Sequence, residues 1–321
     1  MIANHPRRPQ SSTTGSPTAG SKASPRPPRR PGRWLAAAAA VCLVVTWSQA
    51  VPGSTMRRMP HTTEVLHGEG SYFMPFNARE AGQFGTPFPE WENDQRFKHD
   101  TFTFARLRYP SRRREAWRID YPDSDLNFSF RLQQLTALET NPNPVVVDIE
   151  AETLRHYPFI YMVEPGDIDI TPQQAQILRD YLLNGGFMMV DDFWGYREWN
   201  NFEYALRMIF PDRTWTELEL DHPIFNLVFK LDEKPQVPDL HTALRYRPMG
   251  ITYEAHKEGA EHASYRAIYD DDGRMCVLAC WNTDLGDGWE REGDNEWYFR
   301  TFSEAQAFPI GINIVVYVMT H

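Results

Sequence analysis

One strand–helix–strand unit, between residues 159 and 190, constrains the fold of this chain more than any other feature. Phe159–Val163 is a short apolar run, and Phe187–Val190 is a second one. Between them, the TPQQ sequence at residues 171–174 offers a capping threonine, a proline at the first helical position and a capping-box glutamine. The glycine pair at 185–186 ends the helix. A helical connection of this length joins parallel strands, so the unit predicts a parallel sheet.

Other apolar segments add strands to this sheet. Thr101–Leu107 alternates between apolar and polar residues, and Val145–Val147 is continuously apolar. Continuous apolar strands are typical of a sheet that is covered on both faces. The DDG turn at residues 271–273, between two apolar runs, predicts a β-hairpin. The sequence therefore predicts a three-layer α/β/α fold with a mostly parallel sheet and an added β-hairpin.

Three further helices are expected. The first begins at Asp123 or Ser124 and ends near Leu138, and the second runs from about residue 201 to residue 210. The last segment, 309–321, is predicted as a helix that packs on the sheet, although its β-branched residues would also suit a strand.

The amino-terminal part of the chain differs sharply from the rest in composition. Residues 1–50 hold seven of the 33 Lys and Arg residues and no Asp or Glu. Residues 34–47 form an apolar segment that is shorter than the roughly 20 residues of a membrane span and is typical of a secretory signal. Small residues at 48 and 50 allow cleavage after Ala50. The alternative is an uncleaved anchor over residues 34–50, which would be the only contact of the chain with a membrane.

The composition also limits the location and the partners of the domain. Residues 51–96 are expected to form an irregular arm or linker, and residues 97–321 the folded domain. After residue 50, the 43 acidic residues outnumber the basic ones, so the domain repels phosphate backbones and nucleic-acid binding is excluded. The leader predicts an extracytoplasmic location, either periplasmic or secreted.

Acidic and polar side chains follow several of the predicted strands. Because ligands of parallel α/β sheets bind beyond the carboxyl ends of the strands, these residues are candidates for a site. Asp191 and Asp192 could bind a divalent cation or act as acid and base, and no other cofactor is expected. The alternative is that such residues only cap helices and turns. The strand-end residues are Asp148, Glu164, Asp191, Asp192 and Asp284.

Three other side chains are candidates for the same site. His222, beside Asp221, is either a base that acts with Asp191 and Asp192 or a structural histidine held by a backbone carbonyl. Arg106, near the end of the first strand, either holds an anionic group of a ligand or pairs with a strand-end carboxylate. Trp289 is expected to bind ligand as part of an aromatic surface. The tryptophans of that predicted surface are Trp194, Trp199, Trp289 and Trp297.

Common catalytic motifs are absent from the sequence. It contains no GxSxG, Walker A, HExxH or CxxC motif. After the leader, only Cys276 and Cys280 remain, and four residues along a strand separate them by about 13 Å, too far for a disulfide bond.

Six segments of the chain together resemble a bacterial family of unknown function, DUF4159. The resemblance covers residues 97–321 and implies a flavodoxin-like fold similar to class I glutamine amidotransferases. In catalytic members of that superfamily a cysteine follows a strand, whereas the corresponding turn here carries Asp191 and Asp192. Cysteine chemistry is therefore not expected, and the resemblance implies an exported or membrane-associated protein. The segments are 101–110, 155–166, 178–195, 220–231, 271–290 and 307–321.

Two functions follow from this reading of the sequence. The first is a non-catalytic, extracytoplasmic module that binds a cell-envelope protein or a small ligand. The second is a carboxylate- or metal-dependent hydrolase that acts on cell-envelope or carbohydrate substrates. The hydrolase would use Asp191, Asp192, His222 and Asp284, with Arg106 holding an anionic or carbonyl group of the substrate.

Overall fold

A seven-stranded mixed sheet forms the centre of the computed structural model, which describes residues 88–94, 96, 100–112 and 115–321. The strands lie in the order β2-β1-β3-β4-β7-β6-β5, and the first five are mutually parallel. β6 and β5 continue the sheet in the antiparallel sense. The strands are β1 (Ala105–Arg108), β2 (Val145–Asp148), β3 (Phe159–Val163), β4 (Phe187–Phe193), β5 (Thr216–Glu217), β6 (Ser264–Tyr269) and β7 (Met275–Trp281).

Six helices surround the sheet in the described part of the chain. The last of them contains wider, π-helical turns at Phe299–Ala307. The helices are α1 (Asp123–Leu135), α2 (Pro172–Leu183), α3 (Gly195–Ile209), α4 (Leu240–Tyr246), α5 (Leu285–Glu290) and α6 (Glu296–Thr320). The predicted leader, its cleavage site and most of the predicted arm at residues 51–96 lie outside the described residues.

The predicted crossover is confirmed. β3 and β4 are parallel neighbours, and α2 connects them. At the start of α2, Gln174 N donates to Thr171 Oγ1 (3.2 Å) and Thr171 N donates to Gln174 Oε1 (2.9 Å), which completes the capping box. The hairpin predicted at residues 271–273 is also confirmed, because β6 and β7 pair in antiparallel register.

Two predicted boundaries were wrong. α3 begins at Gly195 rather than near residue 201. Trp194 N donates to Glu198 Oε2 (2.8 Å) in the first turn of the helix, and Gly195 N donates to Asn282 Oδ1 (2.8 Å) of a distant loop. β1 begins at Ala105 rather than at Thr101, and before it Phe102 forms an isolated parallel bridge with Thr140.

Each face of the sheet carries its own hydrophobic core. One core packs Phe104, Tyr161 and Leu278 against α1, α5 and α6, and the other packs Ile160 and Val190 against α2 and α3. The sheet is thus the middle of three layers, as predicted. The predicted helix over residues 309–321 is the carboxyl-terminal half of α6.

α6 is long and apolar enough to cross a membrane by length and composition, but 56% of its apolar window is buried inside the fold. Such a helix is weak evidence for a membrane anchor. The part of α6 that packs on the sheet includes Phe308, Ile310, Ile312 and Ile314.

Candidate functional site

Three carboxylates from separate loops meet at the carboxyl edge of the parallel strands. Asp120 lies between β1 and α1, Asp192 is the penultimate residue of β4, and Asp284 follows β7. One oxygen from each of these side chains lies within 4.8 Å of the others. We call these three residues the acidic cluster.

The backbone of the acidic cluster bends sharply. Asp120 and Asp192 have positive φ angles of 61° and 53°, in the left-handed region where Asp and Asn are the most frequent non-glycine residues. At Asp192 the pairing of β4 with β7 shifts its register between Val190 and Phe193. Asp284 caps α5, because Asp287 N donates to its Oδ1 (2.7 Å).

Asp191 lies on the inner side of the same edge and is fully buried. Its Oδ2 accepts hydrogen bonds from Tyr161 Oη (2.9 Å) and from Gly286 N (3.0 Å). Burial raises the pKa of Asp191 to about 7, while the hydrogen bonds from Tyr161 and Gly286 act in the opposite direction. Asp191 therefore supports the start of α5, and its neighbour Asp192 belongs to the acidic cluster.

Burial also dominates the electrostatics of the acidic cluster. It raises the pKa of Asp120, Asp192 and Asp284 well above the usual aspartate value. The neighbouring carboxylates raise these pKa values further, since Asp192 and Asp120 act on Asp284 and Glu164 acts on Asp192. Three ionised carboxylates at this spacing repel one another, so the cluster favours a proton or a cation.

A surface cleft of about 270 Å³ opens beside Asp192 at the carboxyl ends of β3 and β4. We call it the acidic cleft, because its side chains include four carboxylates and two basic groups. Lys257 Nζ pairs with Glu198 Oε1 (3.0 Å) and with Glu254 Oε2 (2.7 Å). The lining residues are Ala116, Glu164, Gly166, Asp167, Asp192, Arg197, Glu198 and Lys257. Glu164 and Asp192 thus lie at the carboxyl ends of parallel strands, as predicted from the sequence. Ligand binding by Glu164 and Asp284 remains a prediction.

Arg106 is fully buried behind the acidic cluster. Its guanidinium donates to both oxygens of Asp125 (3.0 Å each from Nε), to Ser124 Oγ (2.8 Å) and to the carbonyl oxygens of Trp117 and Ile119 (3.1 and 2.7 Å). Its partner is thus a carboxylate of α1, and the predicted pairing with a strand-end carboxylate was wrong. Because these contacts engage the whole guanidinium, Arg106 is not available to hold a ligand.

His222 lies at the other edge of the sheet. Its Nε2 is 3.5 Å from Tyr269 Oη, and its Nδ1 accepts from Ile224 N (3.3 Å). Tyr269 pairs with Met275 at the beginning of β7, whereas Asp284 follows the end of that strand. A seven-residue strand spans about 20 Å, so His222 cannot share a substrate with Asp191 and Asp192. The expectation that it acts with them is therefore corrected.

The predicted aromatic surface does not form. Trp289 is 0% exposed, packs on Phe128 and Tyr161, and donates from Nε1 to the carbonyl oxygen of Ala307 (2.9 Å). It is a core residue rather than a ligand-binding one. Trp194 and Trp199 are also buried, and Trp194 Nε1 donates to Asp192 Oδ1 (3.1 Å).

Sequence reasoning missed four residues of this region: Asp120, Tyr161, Gly286 and Lys257. Tyr161 could have been found, because it alternates with Phe159 and Val163 on one face of β3 and therefore lies beside Asp191 in the next strand. The other three lie in loops or at a helix start, where no periodic pattern marks them.

We expect Asp191→Asn to flatten the pH dependence of stability. The folded-state pKa of Asp191, about 7, exceeds that of an unfolded aspartate, about 3.9, so folding favours the protonated form. The resulting stabilisation is complete below pH ~4 and is lost as the pH rises through 7, at up to about 1.4 kcal/mol per pH unit. Asparagine keeps an acceptor for Tyr161 and Gly286 but does not titrate. Urea unfolding between pH 4 and 8, in the presence of EDTA, measures the difference.

Asp271→Asn is the matched control for this prediction, because the Asp271 side chain is 92% exposed. It should leave the pH slope unchanged. An equal slope for the wild type and Asp191→Asn would show that Asp191 does not titrate in this range.

Comparison with known proteins identifies a family. The family model described as "Domain of unknown function (DUF4159)" matches residues 103–319, which is more than half of the chain. A search of the curated proteins found no match. The match contains every strand of the sheet together with the acidic cluster, and this chain therefore belongs to the DUF4159 family.

Proposed function

We propose that this domain is a non-catalytic, extracytoplasmic binding module of the cell envelope, and that its ligand occupies the acidic cleft. The observation that carries the proposal is the chemistry at the carboxyl end of β4. Asp192 lines the cleft there, and the resemblance to amidotransferases implies that a catalytic member would carry its nucleophilic thiol near this strand end. The extracytoplasmic location rests on the leader at residues 1–50.

The strand order supports a flavodoxin-like fold related to the class I glutamine amidotransferases. The parallel strands follow the order β2-β1-β3-β4-β7, which corresponds to the 2-1-3-4-5 order of flavodoxin-like sheets. In such sheets ligands bind beyond the carboxyl ends of the strands, and the acidic cleft occupies that position.

The state of the thiols supports a non-catalytic role. Cys276 and Cys280 are both buried in β7. Burial raises the pKa of Cys276 to about 11 and that of Cys280 well above its usual value. Because the thiolate is the nucleophilic form of cysteine, both residues are inert at neutral pH.

The charges of the acidic cleft favour a cationic ligand. Its two basic groups already pair with carboxylates, Arg197 with Asp167 and Glu198, and Lys257 with Glu198 and Glu254. Asp192 makes no ion pair with any residue that the structure describes. A volume of about 270 Å³ suits a small molecule or one side chain of a protein partner.

A thermal-shift titration tests the proposal. Spermidine, tri-lysine peptide and solubilised peptidoglycan fragments are added separately to the full-length protein. We expect a saturable rise in Tm with one of them, and recovery of that ligand intact by mass spectrometry after prolonged incubation. Glu164→Gln and Asp192→Asn should weaken the binding at least ~10-fold, a loss of about 1.4 kcal/mol.

The control is Asp232→Asn, whose side chain is 84% exposed, and its binding should equal that of the wild type. Equal binding by Glu164→Gln and Asp192→Asn would move the ligand site away from the cleft and contradict the proposal.

A carboxylate- or metal-dependent hydrolase is the second candidate, and the acidic cluster favours it. Closely spaced carboxylates can hold a metal that activates water. His222 plays no part in this version. Cleavage of a bound peptidoglycan fragment or oligosaccharide, abolished in Asp192→Asn, would establish the hydrolase and reject the non-catalytic module.

A further inference from the structure

One oxygen of the acidic cluster is enclosed and unpartnered. Asp120 Oδ2 is shielded from solvent and accepts no hydrogen bond from the residues that the structure describes. A buried acceptor without a partner is destabilising, and a charged one more so, so proteins rarely leave such an atom unsatisfied. A missing ligand at this atom would account for it.

Gly286 allows this oxygen to pack against the first turn of α5. A Cβ added to Gly286 would lie 2.5 Å from Asp120 Oδ2, 2.9 Å from Tyr161 Oη and 3.5 Å from Asp284 Oδ1. Any side chain at this position would therefore clash with Asp120 and Tyr161, and the glycine permits the observed position of the Asp120 carboxylate.

The hydrogen bonds of the other two carboxylates leave one oxygen on each side chain for a ligand. Asp192 accepts from Trp194 Nε1 through Oδ1, and Asp284 accepts from Asp287 N through Oδ1. Neither Oδ2 accepts a hydrogen bond from another residue in the described part of the chain. Each Oδ2 can thus face a ligand while its Oδ1 stays anchored.

The charge of the acidic cluster is not balanced by nearby basic groups. Within the ranges that the structure describes, no Lys, Arg or His nitrogen lies within 4.0 Å of the carboxylates of Asp120, Asp192 or Asp284. The nearest candidates are already paired, since Arg106 binds Asp125 and Lys257 binds Glu198. A buried group of carboxylates needs a compensating positive charge, or it must take up protons.

A second group of carboxylates, Asp287 and Glu290, shares Asp120 with the cluster. Asp287 accepts from Leu240 N (2.6 Å) through Oδ2 and from Arg291 Nε (3.2 Å) through Oδ1. Arg291 also pairs with Glu290 (2.8 Å). Arg291 is therefore paired with Asp287 and Glu290, whereas Asp192 and Asp284 have no ion-pair partner among the residues that the structure describes.

We propose that Asp120, Asp192 and Asp284 bind one hard divalent cation, Mg²⁺ or Ca²⁺. This inference deepens the proposed function and rests on it for the role of the acidic cleft. Cation–oxygen distances of about 2.0–2.6 Å place the ligand atoms within about 5 Å of one another, as the cluster does at 4.8 Å. Carboxylates without nitrogen or sulfur ligands suit these two cations, and water from the cleft completes their coordination.

Calorimetric titration of the full-length protein, stripped with EDTA, tests the proposal with MgCl₂ and CaCl₂ separately. We expect one cation per chain with a Kd of about 1 mM or tighter. Asp120→Asn and Gly286→Ala should each weaken the binding at least ~10-fold. The alanine variant keeps all three carboxylates but displaces that of Asp120, because its Cβ would lie 2.5 Å from Asp120 Oδ2. Thermal unfolding shows that each variant folds.

Asp232→Asn is the matched control and should bind the cation like the wild type, since its side chain is exposed. Absence of binding for both salts, or equal binding by Asp120→Asn and Gly286→Ala, overturns the inference. Ligand binding that persists in EDTA, together with no calorimetric binding of either salt, would reject the cation and retain the binding module. Cation binding with no ligand would retain the cation and reject the module.

Discussion

Arg106→Met is expected to lower the free energy of unfolding by about 3–5 kcal/mol, because it leaves a buried carboxylate without its partner. Arg106 and Asp125 are both fully buried, and the guanidinium also satisfies Ser124 Oγ and two backbone carbonyl oxygens. The arginine also lies over the ring of Tyr161, with 5.1 Å between Cζ and the ring centroid. Urea unfolding followed by circular dichroism measures the loss.

Arg108→Met is the matched control, two residues away in the same strand. Arg108 pairs with Asp148 at the surface, where both side chains are partly exposed, so its loss should cost less than about 1 kcal/mol. The double variant Arg106→Met, Asp125→Leu should recover part of the stability, because it removes the orphaned charge. If Arg106→Met unfolds like the wild type but no longer binds ligand, Arg106 is a ligand clamp after all.

Trp289→Ala is expected to destabilise the protein by about 3–5 kcal/mol, the cost of removing a large aromatic side chain from a core. The indole lies 4.4 Å from the ring of Phe128 and 5.6 Å from that of Tyr161, measured between centroids. Its Nε1–H group also binds Ala307 in the π-helical part of α6. The substitution would therefore open a cavity between α1, α5 and α6, which thermal and urea unfolding would detect.

Trp297→Ala provides the comparison, because Trp297 is only partly buried and packs with its edge against Phe302 at the margin of the core. Its substitution should cost about 1 kcal/mol. The core role of Trp289 would be refuted by a variant that keeps wild-type stability and loses only ligand binding.

The parts of the fold that sequence reasoning predicted well are those with local signals. The capping box at Thr171 and the two apolar strands that flank α2 depend on neighbours in the sequence, and all of them were predicted correctly. The start of α3 was not, because it depends on Asn282, 87 residues away along the chain. A helix cap that a distant residue supplies leaves no periodic pattern in the local sequence.

The site was predicted only in part, for a similar reason. Asp191, Asp192 and Asp284 follow apolar strands, so their edge of the sheet could be anticipated. His222 was misplaced because it lies in a loop, and its contact with Tyr269 at the amino end of β7, 47 residues away along the chain, leaves no local signal. Asp120 was missed because it lies in a loop, with a positive φ angle, and no periodic sequence pattern marks it.

The succession of Asp191 and Asp192 in β4 joins two environments through a single peptide unit. Asp191 accepts a hydrogen bond from Gly286 N in the first turn of α5, whereas Asp192 lines the acidic cleft. A ligand that pulls Asp192 outward must therefore also tilt the acceptor on which α5 begins. Occupancy of this edge would reach α5 through one peptide unit and one hydrogen bond, that from Gly286 N to Asp191 Oδ2.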